Sequence, residues 1–215
     1  MHSPLLALLH KRRMGRVIRS VIAVTGLLVL AAPVAALEIP AHVQKIIIER
    51  CGLCHGPEGE SASRIYPRLA AQHPGYMRKQ LADFRDGRRK SEVMFEMSKD
   101  LKDEEIVLLA DFYASRKAAA SQPGDADLAA VGRYIYHRGN TYSGVPSCES
   151  CHGAHGLGTE QLPRLAGQHP RYLETQLQEF NQRARTNDNA IMHTIAAKLT
   201  ELETRAVTVY IGGMN

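Results

Sequence analysis

The chain contains four cysteines, and all of them fall into one arrangement used twice: Cys51-Gly-Leu-Cys54-His55 and Cys148-Glu-Ser-Cys151-His152. Two thiols a helical turn apart, followed at once by an imidazole, force the surrounding chain to fold around whatever they bind. This is the attachment sequence of covalent c-type haem, in which the thiols add to two vinyl groups and the histidine turns towards iron. A structural zinc site also takes four cysteines, but the pairs lie 97 residues apart and zinc gives no reason for His-Gly to follow each. Disulfides within each pair would leave each unit without a centre. A thioredoxin-like pair needs alternating strands and helices, which are not seen here. Two haem c groups are the expectation.

The first 36 residues read as a signal peptide. Lys11, Arg12, Arg13, Arg16 and Arg19 precede an apolar run from Val21 to Ala32, and Val34-Ala35-Ala36 supplies small residues for cleavage. The other reading is a retained membrane anchor, for which the apolar stretch is short. The chain holds 27 Lys and Arg against 22 Asp and Glu. Five of the basic residues and none of the acidic ones lie in that segment, so the remainder is balanced at 22 of each. The basic bias therefore belongs to targeting and gives no support to nucleic-acid binding. Export implies the periplasm.

The two halves align well beyond the cysteines. Pro67-Arg-Leu-Ala-Ala-Gln-His-Pro-Gly-Tyr76 matches Pro163-Arg-Leu-Ala-Gly-Gln-His-Pro-Arg-Tyr172, and Gln80-Leu-Ala-Asp-Phe84 matches Gln176-Leu-Gln-Glu-Phe180. Met94 and Leu101 correspond to Met192 and Leu199. The chain is a duplication, with domains expected at 37–118 and 125–215 and residues 119–124 between them. Small residues from Lys117 onward ending in Gln-Pro-Gly124 mark that linker.

Each half reads as helical. Expected helices run from Ala41 to Glu49, from Tyr76 to Phe84, and onward from the acidic Asp103-Glu104-Glu105 start. Their counterparts span Asp125 to His137, Tyr172 to Phe180 and Glu201 to Ile211. No run alternates as a strand would. A domain this small has little apolar core, and haem would fill the deficit.

His55 and His152 are the expected proximal iron ligands. Repeat alignment points to Met94 and Met192 as the distal ones, each preceding an apparent helix by the same interval, seven residues before Leu101 and Leu199, with Met97 and His193 as their competitors. Methionine ligation suits a low-spin carrier and raises the potential relative to two histidines. A carbonyl near Pro67 or Pro163 is expected to accept the other imidazole proton. Arg68 and Arg164 are candidates for the propionates, or else solvated side chains. Tyr76 and Tyr172 are expected in the cores or on haem edges. Arg85, Arg88, Arg89 and Lys90 form the densest basic cluster, either a docking patch for an acidic partner or a solvated loop.

With these residues in view, the sequence resembles the cytochrome c4 family of dihaem proteins from about Ala41 to Gly212. The resemblance implies an all-α fold of two tandem cytochrome c-like domains with a pseudo-twofold relation and propionate edges near their interface. It assigns Cys51, Cys54, His55 and Met94 to one haem, and Cys148, Cys151, His152 and Met192 to the other. It further implies periplasmic, sometimes peripherally membrane-associated, electron transfer towards a terminal oxidase. Two departures stand out. Asn187-Asp188 before Met192 has no match in Lys90-Ser91-Glu92-Val93 before Met94, and Ala71 replaces the glycine found at Gly167.

The leading expectation is an electron carrier without turnover of its own, since no separate acid, base and nucleophile set stands out. The alternatives are a cytochrome subunit or electron acceptor of a sulfur-compound or other dehydrogenase, and a dihaem peroxidase, against which the two methionines argue.

Overall fold

The chain alternates short helices with long, glycine-punctuated loops. The computed structural model describes residues 38–121 and 124–215. The expected signal peptide and part of the expected linker lie outside the described residues. Helix α1 (Ala41–Ile46) passes through a π-helical turn (Ile47–Cys51) into α2 (Gly52–His55). Then come α3 (Pro74–Arg85), α4 (Glu92–Ser98) and α5 (Asp103–Ala114). The second half follows with α6 (Ala126–Arg138), α7 (Glu149–His152), α8 (Pro170–Asn181), α9 (Ile191–Ala196) and α10 (Glu201–Gly212). Outside the helices, the described residues contain one isolated antiparallel bridge, Asn140 to Val145. The fold is all-α, and none of the described helices is long and apolar enough to cross a membrane.

Local chemistry explains most boundaries. Pro74 and Pro170 sit in the first turns of α3 and α8, where no amide donor is needed and the ring's fixed φ already suits a helix. Both helices therefore start two residues earlier than the tyrosine spacing suggests. Asp125 caps α6 by accepting from the Leu128 amide at 2.9 Å. Thr200 and Glu203 form a reciprocal capping box on α10.

Met94 and Met192 do precede the expected helices, α5 and α10. Each lies in the first turn of an additional short helix, α4 or α9. The departure between the halves is filled by function-equivalent acceptors: Ser91 Oγ takes the Met94 amide at 3.3 Å, and the Asp188 carboxylate takes the Met192 amide at 2.6 Å.

Two separate apolar clusters make two lobes. The first joins Val43 and Ile47 to Leu109, Ala110 and Tyr113, uniting α1 with α5. The second joins Ile135 and Tyr136 to Val207 and Ile211, uniting α6 with α10. In the second lobe the helices approach so closely that a Cβ on Gly132 would stand 2.0 Å from the Ala206 carbonyl oxygen. Residues 37–215 nevertheless form one compact unit, because the lobes meet over a polar seam.

Candidate functional site

Each attachment segment ends in a short helix that presents its histidine inward. His55 and His152 are 7% and 8% exposed. The His55 Nδ1 lies 2.8 Å from the Pro67 carbonyl oxygen, and the His152 Nδ1 lies 3.3 Å from that of Pro163. A carbonyl only accepts, so Nδ1 carries the proton and Nε2 keeps its lone pair for a metal. Burial holds both rings below the usual histidine range, outweighing the carbonyl's opposite pull, so both are neutral at neutral pH. The carbonyls anticipated from the sequence are thus those of Pro67 and Pro163.

The cysteines are free thiols, the first pair in one lobe and the second in the other. Burial pushes the Cys148 thiol up to about 11 and raises Cys51 as well. Among the described residues no three His, Cys, Asp or Glu side chains converge into a metal site. Two separate thiol pairs, each beside a neutral buried imidazole whose Nε2 no described residue engages, fit a covalently held haem in each lobe.

Met94 and Met192 are half-buried at equivalent positions. Competition from His193 is weak on geometry. Its Nδ1 donates to the Phe180 carbonyl at 2.9 Å, and its Nε2 accepts from Arg183 Nε at 3.2 Å, so neither nitrogen is free. Met97 is also half-buried, and its carbonyl receives Arg50 Nη1 at 3.4 Å.

The seam between the lobes is built largely from residues of the repeated segments. Gln72 accepts the Arg164 amide at 2.8 Å and donates to the Arg164 carbonyl at 2.9 Å. Gln168 does the same to Arg68, at 2.9 Å in both bonds. His73 bonds the Leu157 carbonyl at 2.6 Å, and His169 bonds that of Ser61 at 2.8 Å. This reciprocity is the pseudo-twofold relation in atomic detail. The retained Gln-His pair was its signal in the sequence.

Arg89 and Arg185, each 7% exposed, hold the centre. Arg89 donates to Gln80 of its own lobe and to Tyr172 and Gln176 of the other, at 2.8, 3.1 and 2.6 Å. Arg185 donates to Gln176 of its own lobe and to Tyr76 and Gln80 of the other, at 2.7, 3.1 and 3.2 Å. Each guanidinium also stacks on a phenylalanine, Phe84 or Phe180, at 4.5 Å from the ring centre. Burial alone would raise the Tyr76 hydroxyl, yet Arg185 and Arg89 pull it below the usual phenol value.

Three groups singled out in the sequence find partners here. Tyr76 and Tyr172 reach across the seam to the opposite lobe's arginine. Within the basic cluster Arg89 is buried, Arg85 pairs with Asp86 and Asp103, Arg88 pairs with Asp83 and Asp86, and Arg88 and Lys90 stay exposed. Arg68 spends its guanidinium on the Gly167 and Ala120 carbonyls.

Comparison with known proteins agrees with a two-lobed c-type cytochrome. A family described as Cytochrome c matches residues 132–215. Cytochrome c4 of Thiocapsa roseopersicina is 42% identical over 171 residues, covering 77% of this chain and 87% of that protein. The thiosulfate dehydrogenase electron acceptor of Thiomonas intermedia is 34% identical, with 88% of each chain covered. The crystal structure of reduced recombinant cytochrome c4 from Pseudomonas stutzeri superposes with a TM-score of 0.77 at 32% identity, covering 83% of this chain and all of that one. These matches and the paired lobes define a dihaem class I-like cytochrome, whose c-type haems are covalently bound. The chain belongs to the cytochrome c4 family. It is an electron carrier.

Proposed function

We propose that the chain holds two haem c groups and passes electrons one at a time between redox proteins of the periplasm, towards a terminal oxidase. Cys51 and Cys54 bind the first haem, with His55 and Met94 as axial ligands. Cys148 and Cys151 bind the second, with His152 and Met192. The observation that carries this reading is the twice-repeated buried neutral imidazole, fixed by a prolyl carbonyl beside a free thiol pair. The engagement of both His193 nitrogens supports methionine in the second lobe, and the repeat supports Met94 over Met97.

When bound, haem supplies a reversible one-electron couple. The protein's part is to hold each imidazole in one tautomer and orientation, and to keep both centres at a fixed separation. The proposed organisation is a signal peptide at 1–36, domains at 37–118 and 125–215, and a linker at 119–124. Peripheral association with the inner membrane is part of the same reading.

A reductive optical titration of the holoprotein tests it. Two low-spin centres, each with the far-red methionine-to-ferric-iron band, are expected. A centre that lacks the band and binds carbon monoxide when reduced would reject the symmetric ligand set. The similarity to a thiosulfate dehydrogenase electron acceptor favours a second reading, that of a dedicated acceptor for a sulfur-compound dehydrogenase. Stable co-purification with a catalytic dehydrogenase subunit would select it.

A further inference from the structure

One peptide group in each lobe connects the seam to the proximal histidine. The carbonyl of the Pro67–Arg68 peptide accepts the His55 Nδ1 proton at 2.8 Å, while its N–H donates to Gln168 Oε1 of the other lobe at 2.9 Å. The mirror peptide, Pro163–Arg164, takes His152 at 3.3 Å and donates to Gln72 Oε1 at 2.8 Å. Both glutamines are fixed at each end of the amide. The Gln168 Nε2 donates to the Arg68 carbonyl at 2.9 Å and its Oε1 also receives the His169 amide at 3.0 Å. The corresponding Gln72 bonds measure 2.9 and 3.0 Å. At 7% and 8% exposure the two side chains have little water to compete for these bonds.

Amide resonance makes the two ends of a peptide interdependent. A donated N–H bond draws electron density onto the carbonyl oxygen, so bonds in series strengthen one another. A stronger acceptor at Nδ1 gives the imidazole more imidazolate character and makes it a more basic metal ligand.

We propose that Gln168 and Gln72 are positioning residues, each tuning across the seam the proximal histidine, and so the reduction potential, of the opposite lobe's haem. This rests on the reading of His55 and His152 as iron ligands. Gln168 belongs to the second lobe yet acts on the first haem, and Gln72 acts on the second. The lobes thereby set each other's potentials through two hydrogen bonds and one peptide plane.

The test uses the full holoprotein with Gln168→Leu. Potentiometric titration gives the two midpoint potentials, assigned by NMR through the thioether links to each cysteine pair. The ring ¹⁵N shifts of both histidines are read on the same sample. The expected result is a rise in potential at the Cys51/Cys54 haem and a shift of His55 Nδ1, with the other haem unmoved. Gln72→Leu should show the mirror image. Gln168→Glu, which keeps the acceptor oxygen, should restore the His55 shift.

Equal changes at both haems, or at neither, would overturn the proposal, since a merely loosened seam affects both lobes alike. If the leucine variants fail to fold, amide exchange in the wild type still decides. Strong protection of the Arg68 and Arg164 amides is required, and exchange at the rate of free peptide would refute the coupling. Haem content per chain, measured on every sample, separates failure of this inference from failure of the haem reading.

Discussion

Ala71 shows how one residue can differ between otherwise matching halves at a cost. It adopts a φ of +59°, where its counterpart Gly167 adopts +71°. A Cβ in the left-handed region costs about 1–2 kcal/mol, of which glycine's greater unfolded freedom returns part. Ala71→Gly is expected to stabilise the holoprotein by up to about 1 kcal/mol, read from urea unfolding. The substitution was visible in the repeat, but its backbone angle was not. The paired thiols and the buried histidine after each pair were legible because their spacing is repeated without change. Arg89 was not: within Arg88-Arg89-Lys90 it looks like solvent-facing charge, and only the opposite lobe's Gln176 and Tyr172 make it interior.

At the scale of elements, α6 and α10 cross where Gly132 leaves no room for a side chain. Gly132→Val is expected to destabilise the second lobe by at least about 1–3 kcal/mol, the usual cost of overpacking. Hydrogen exchange should accelerate in α6 and α10 before α3 and α5; equal acceleration in both lobes would count against separate cores. Helix α6 was readable from the repeat, although Asp125, read there as its first residue, caps it instead. Helices α4 and α9, with seven and six residues, are too short to leave a periodic signal. The π-helical turn at Ile47–Cys51 was equally hidden, because it satisfies the same apolar spacing as the α-helix expected there.

The whole molecule carries a pH dependence in its seam. His169 is 5% exposed, donates to the Ser61 carbonyl and faces Arg68 and Arg64. Burial first, and then the two arginines, hold its pKa below the ordinary 6.5. The unfolded chain therefore takes up a proton that the folded seam resists. The stability contributed is full above the unfolded value of 6.5 and is lost as pH falls through the lower folded value. Urea midpoints should decline on acidification from about pH 7.5 to about pH 5, and His169→Gln should flatten that decline. An unchanged slope in the variant would remove His169 as the cause. Its counterpart His73 lies 3.8 Å from Glu160 instead, so the near-symmetric pair is electrostatically unequal. The duplication announced two lobes, whereas the seam required partners more than 80 residues apart.

Gln72, Gln168, Arg89 and Arg185 clamp the lobes together through buried bonds and so hold them at one separation. Internal electron exchange should then proceed by tunnelling over a constant gap. Raising solvent viscosity with glycerol should slow encounters with partners and leave the internal hop at its original speed.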